Sequence, residues 1–141
     1  MNADSNLSLV AAYRATAYWV ETPSGSLCVR VEGRHHELDA VLRSAGVAEW
    51  AIVTAWNPRS RRLADEENRA RQERLIAEIR ALGFACWPVQ NVADGGEWPA
   101  EASVLVLGIG RDAAMELARR YEQHAIVVGR VGEAAELVWI S

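Results

Sequence analysis

The sequence predicts an α/β fold: a single mixed parallel and antiparallel sheet of about six or seven strands flanked by three main helices. Three observations predict it. From residue 50 onward, short β-rich runs alternate with helical patterns, as strand–helix–strand units do. The run Ser103 to Leu107 is nearly all apolar, as a strand covered on both faces would be. The chain has 141 residues, 50% of them hydrophobic and 24% charged. That is the size of one domain, large enough to fold without disulfides or a structural metal.

The elements follow in order. Residues 1–12 read as a loosely attached N-terminal tail or helix. Ala15 to Thr22 and Leu27 to Glu32 are β-like, and Pro23-Ser24-Gly25-Ser26 between them has the turn chemistry of a hairpin. His36 to Ala45 places Leu38, Val41, Leu42 and Ala45 on one helical face, with Gly46 at the stop position. Trp50 to Ala55 is a buried strand. The longest helix spans Asp65 to Leu82, with Asp65 as N-cap, acids in the first turn and Gly83 at the end. Leu75, Ile79 and Leu82 form its core stripe. Phe84 to Val89 is the next strand, and a polar loop covers Asn91 to Pro99. A helix from Asp112 to Tyr121 connects the strand Ser103 to Leu107 with the strand Ala125 to Val128, and Leu137 to Ile140 closes the chain. Helical connections imply parallel pairs at 50–89 and 103–128, while the 23–26 and 129–136 connections imply antiparallel ones. No repeat, low-complexity tract or linker divides residues 1–141, so one domain is expected.

Composition excludes several chemistries. All 15 basic residues are Arg, so neither a Schiff-base lysine nor a phosphate-loop lysine exists. The net charge is -4, and only residues 57 to 80 are basic, with seven Arg against five acids. That balance argues against general nucleic-acid binding. Cys28 and Cys86 lie in apolar runs without a CxxC pair, which predicts two reduced core thiols. The N-terminus has no basic start followed by an apolar stretch, and no run is long enough for a membrane helix. A cytoplasmic protein with no membrane association is expected. HExxH, GxSxG and DxDxDG are absent, and the adjacent His35 and His36 would diverge on a helix. Neither a metal nor a cofactor is expected. Trp19, Trp50, Trp87 and Trp139 fall within strands and are expected in the core.

The candidate site is the stretch Thr54-Ala55-Trp56-Asn57-Pro58-Arg59-Ser60-Arg61-Arg62, which leaves a buried strand and leads to the long helix. Ligands favour such places, and helix N-termini attract anions. Asn57, Ser60 and the arginines 59, 61 and 62 can bind a phosphate or carboxylate. The plain alternative is a surface turn with solvated arginines. Extending the helix stripe backwards reaches Arg71 or Gln72 and then Asn68, where apolar residues would be expected. A polar inward face there predicts that this end of the helix borders a solvated pocket; Asn68 could instead cap locally with Asp65. Glu101 and Ser103 lead into the apolar strand, and Glu101 is placed to be a general base or acceptor, with the Arg-rich loop as donor. Gln123 and His124 precede the next strand and can reach the same rim. Trp56 and Trp98 stand in the two loops and could wall a pocket. Gly108-Ile109-Gly110-Arg111-Asp112-Ala113 matches GxGxxA, but no acid stands at the tip of the following strand, so the glycines are read as a tight turn.

TAWNPRS, the EEN at Glu66 to Asn68, EASVLVLG and QHAIVVG together resemble the bacterial domain of unknown function family 3293, over about residues 13 to 140. The family's characteristic positions correspond to Thr54, Asn57, Pro58, Ser60, Asn68, Glu101 and Gln123. The resemblance implies a small single-domain protein and carries no activity with it.

The combined expectation is a small anionic ligand, such as a nucleotide or phosphorylated metabolite, at Thr54, Trp56, Asn57, Arg59, Ser60, Asn68, Arg71 and Gln123. Glu101 would be the acceptor or catalytic base if there is turnover. The competing expectation is a protein-interaction module using exposed Trp and Arg, and a third is an accessory role in nucleic-acid processing. Whether the protein is a homo-oligomer is not encoded in these features.

Overall fold

The computed structural model describes residues 3–96 and 98–140. Its elements are α1 (Ala3–Arg14), β1 (Thr16–Thr22), β2 (Gly25–Val29), α2 (His36–Ser44), β3 (Glu49–Val53), α3 (Asp65–Ala81), β4 (Cys86–Ala93), β5 (Glu101–Leu107), α4 (Arg111–Arg120), β6 (Ala125–Arg130) and β7 (Glu136–Trp139), with a 3-10 turn at Pro58–Ser60. The strands form one sheet in the order β2-β1-β4-β5-β3-β6-β7.

The expected mixed sheet is corrected: every pairing is antiparallel. A helical connection does return the chain in its original direction, and β3 and β4 do run the same way. They are not neighbours, because β5 lies between them and runs opposite to both. In the same way β3 separates β5 from β6. The unit β3-α3-β4-β5-α4-β6, with strand order β4-β5-β3-β6, is the split βαβ arrangement of ferredoxin-like folds. The β1–β2 hairpin extends it at the β4 edge and β7 at the β6 edge.

The apolar runs reported coverage, not parallel partners. Val104 and Val106 face Leu75 and Ile79 of α3 and Ala114, Leu117 and Ala118 of α4. Leu105 and Leu107 face the other way, into a cluster with Leu38 and Leu42 of α2 and with Tyr13 of α1 at its margin. Helices thus cover both faces of β3, β5 and β6. Trp50 lies flat across β6: a Cβ added to Gly129 would meet its ring at 2.2 Å, so only glycine fits there.

Four further corrections concern local features. Trp50 is buried as expected, but Trp19 is 41% and Trp139 37% exposed, because Trp19 sits on a sheet face that no helix covers and Trp139 on an edge strand. Asp65 is the first helical residue of α3; the N-cap is Ala64, with no side-chain cap. Strand β4 continues to Ala93, so Asn91 belongs to the sheet, opposite Glu101. Both cysteines are free, as expected, but only half-buried: Cys86 packs at the margin of the core, and Cys28 belongs to neither core cluster. No helix among the described residues is long and apolar enough to cross a membrane.

Candidate functional site

Because β3 runs against β5 and β6, the end of β3 meets the starts of β5 and β6. The connection from β3 to α3, residues 54–64, therefore lies beside Glu101 and Gln123.

The loop is built around Asn57. Its backbone is left-handed at φ 43, and Arg59 and Ser60 follow at φ 52 and 59. Such conformations are unfavourable for non-glycine residues and need support from their surroundings. The support is a set of side-chain bonds. Asn57 and Asn68 pair reciprocally: the Asn57 backbone N–H donates to Asn68 Oδ1 at 2.8 Å, and Asn68 Nδ2 donates to Asn57 Oδ1 at 2.8 Å. The Leu63 N–H donates to the same Asn57 oxygen at 3.0 Å. Only Nδ2 of Asn57 then points elsewhere, and it donates to Glu101 Oε1 at 2.7 Å.

Neighbouring residues hold the rest of the loop. The Thr54 hydroxyl donates to the Ala102 carbonyl at 2.7 Å and accepts from the Trp56 N–H. Gln72 Oε1 accepts from the Ala55 N–H at 2.9 Å. Arg71 donates to the carbonyls of Ala55 and Tyr121, both at 2.9 Å, and lies over the Tyr121 ring. Gln123 Nε2 donates to the carbonyls of Trp56 and Tyr121. The Arg59 N–H donates to the Glu122 carbonyl at 2.7 Å.

The polar inward face of α3 has a local cause. Asn68 and Gln72 are 1% and 6% exposed, and they bond the backbone of the loop. A packed loop in irregular conformation needs partners for its peptide groups, which apolar side chains cannot supply. Of the expected ligand-binding residues, Thr54, Asn57, Asn68, Arg71 and Gln123 come together in this network. Trp56 is half-buried within it. Arg59, Ser60, Arg61 and Arg62 remain exposed on its outer side, where Arg59 makes a loose ion pair with Glu122. Trp98, in the loop before β5, is 68% exposed.

Glu101 is the carboxyl of this arrangement. Burial raises its pKa above the usual carboxylate value, and the Asn57 amide opposes the rise. The donor is Asn57, where an arginine of the loop was expected. Oε2 of Glu101 accepts no hydrogen bond from the described residues. The sequence did not single out Tyr13 and Tyr18, whose hydroxyls feel Glu101 electrostatically. Burial, and secondarily Glu101, pushes Tyr13 up to about 12; burial first, then Tyr13 and then Glu101 raise Tyr18. Register brings Tyr18 opposite Asn91, and Asn91 opposite Glu101. Ser103, 2% exposed and two residues along β5 on the same face, donates to Asn91 Oδ1 at 2.6 Å. No cluster of three or more His, Cys, Asp or Glu suited to a metal occurs among the described residues.

A family model described as protein of unknown function, DUF3293, matches residues 53–126, and the chain belongs to that family. The matched span runs from the last residue of β3 into β6 and contains the whole network from Thr54 to Gln123. Searches of curated proteins and of solved structures each found no match.

Proposed function

We propose that this member of the DUF3293 family binds a small anionic ligand, a nucleotide or phosphorylated metabolite, on the outer side of the Thr54–Arg62 loop. Glu101 is its hydrogen-bond acceptor and, if the ligand is turned over, its general base. The observation that carries the reading is the Glu101 carboxyl, half-buried with a raised pKa and oriented at 2.7 Å by an amide that is itself fixed by a buried asparagine and a strained backbone. A perturbed, oriented carboxylate of this kind is what proton transfer or tight acceptor binding uses. Thr54, Asn68, Arg71 and Gln123 then act as positioning residues. The anion belongs to Arg59, Arg61 and Arg62, because Asp65, Glu66 and Glu67 already occupy the favourable end of the α3 dipole. The exposed Trp98 favours a second reading, a protein-interaction surface of Trp and Arg.

Thermal-shift assays test the choice, with nucleotides, sugar phosphates, dicarboxylates and short oligonucleotides against the wild type, Glu101→Gln and the triple variant Arg59→Ala/Arg61→Ala/Arg62→Ala. At 100 times its Kd, a ligand stabilises by about 2.7 kcal/mol, several degrees in Tm. One ligand class is expected to raise the Tm of the wild type alone. An unchanged Tm across the panel, or the same rise in Glu101→Gln, overturns the ligand reading in favour of the interaction surface.

A further inference from the structure

On the sheet face that carries α3, the helix stops short of the outer strands, and a cavity of about 180 Å³ opens between α3 and strands β4 and β5. Gln72, Ile76 and Arg80 line it from the helix at successive i, i+4 spacings, and Cys86, Pro88 and Val104 line it from the strands. The body of the cavity is apolar. Its volume matches a small molecule: an apolar cavity of about 150 Å³ accommodates benzene.

Polar residues break that lining, Gln72 and Arg80 from the helix and Gln90 and Ser103 from the strands. Gln72 is 6% exposed, and its Nε2 is buried with no hydrogen-bond partner in the protein. The amide cannot turn to relieve this, because Oε1 is engaged by the Ala55 N–H. A buried donor of this kind implies an acceptor that arrives from outside. Further along the helix, Arg80 is exposed and makes no salt bridge among the described residues, and its charge acts on the half-buried Cys86 thiol. One donor and one unpaired cation therefore accompany an apolar volume.

We infer that this cavity binds a small carboxylate with an apolar, ring-sized body, its oxygens accepting from Gln72 Nε2 and facing the charge of Arg80. The site is separate from Glu101, whose side chain lies on the opposite face of β5 from Val104, and it meets the loop's hydrogen bonds at the Gln72 amide and at Ala102. Occupancy at Nε2 would steady that amide and, through Oε1, the Ala55 end of the loop.

Benzoate is the probe, titrated into the isotopically labelled full chain and followed by NMR. The Gln72 side-chain amide and the Ile76 methyl groups are expected to shift saturably. Ile76→Trp, at a half-exposed lining position, should abolish the shifts by filling the cavity; Arg80→Gln, at an exposed position, should weaken binding about tenfold; and Glu101→Gln should leave it unchanged. Benzyl alcohol, which keeps the ring and lacks the charge, should bind more weakly than benzoate. No saturable shift at Gln72, equal affinity in Ile76→Trp, or a benzoate-soaked crystal with only water at Nε2 would overturn the inference.

Discussion

The split βαβ unit passes from a strand to its covering helix twice, in two different ways. From β5 to α4 the chain uses Gly108, Ile109 and Gly110. Gly108 turns at φ 82, its N–H donates to the Glu49 carbonyl at 2.8 Å, and Ile109 enters the core. From β3 to α3 it uses residues 54–64, with three non-glycine residues at positive φ. Each left-handed residue of that kind costs about 1–2 kcal/mol, less for asparagine, and ordering the extra backbone costs more. The short connection shows that the topology does not require the long one. What the long one adds is Asn57 held against Glu101, and this difference is the main reason to look for function there and not at the GxGxxA turn.

Removing the centre of the long connection should have the largest effect. Asn57→Ala leaves the Leu63 N–H, the Asn68 amide and the Glu101 carboxylate without their partner, and puts alanine at φ 43. Unsatisfied buried groups cost about 1–3 kcal/mol each, and partial access to water at this half-buried position lowers the sum, so a loss of about 3 kcal/mol is expected in urea denaturation. In the short connection, Gly108→Ala should cost less, about 1–2 kcal/mol, from backbone strain alone. Its Cβ would meet only Val47 Cγ1, at an ordinary 3.5 Å. If the two losses are equal, or if Asn57→Ala is the milder, the long connection is no more than a linker and the comparison fails.

The sequence made the elements legible wherever a local rule operates. The expected turn at 23–26 tightens to Pro23 and Ser24, with Gly25 already paired to Thr22, and of the expected stripes Leu38 and Leu42, Leu75 and Ile79, and Ala114 and Leu117 face the core, while Ala45 and Leu82, each at a helix end, are exposed. Strand adjacency was not legible: a helical connection sets the direction of the next strand, while its neighbour is chosen by packing across the whole sheet. For the site, Thr54 and Asn57 stood out in a donor-rich loop, Asn68 as a polar residue where an apolar one was due, and Glu101 and Gln123 as polar residues at the entry to apolar strands. Their partners did not. Asn68 bonds a loop eleven residues back, and Arg71 turns inward to the carbonyls of Ala55 and Tyr121. The strain at Arg59 and Ser60 left no mark in residue type, since left-handed positions usually go to glycine or asparagine. Tyr13 and Tyr18 reach Glu101 only through tertiary packing and register.

Glu101 offers the finest test, because structure and function predict opposite signs. Its pKa is raised in the folded protein above the ordinary 4.5, chiefly by burial. A carboxyl of this kind contributes stability while protonated, below its unfolded value, and loses it as pH rises through the folded value. At neutral pH the half-buried carboxylate is a liability. Glu101→Gln keeps an oxygen for the Asn57 amide and removes the charge, so it should stabilise the protein at pH 7, by up to about 1 kcal/mol given solvent screening of a partly exposed group. The gain should shrink as the pH falls toward 4, and denaturation curves across that range measure it. A residue kept at some expense to the fold points to a task other than folding. If Glu101→Gln instead destabilises at neutral pH, the carboxylate is a structural partner of Asn57, and the long connection then resembles the short one in purpose.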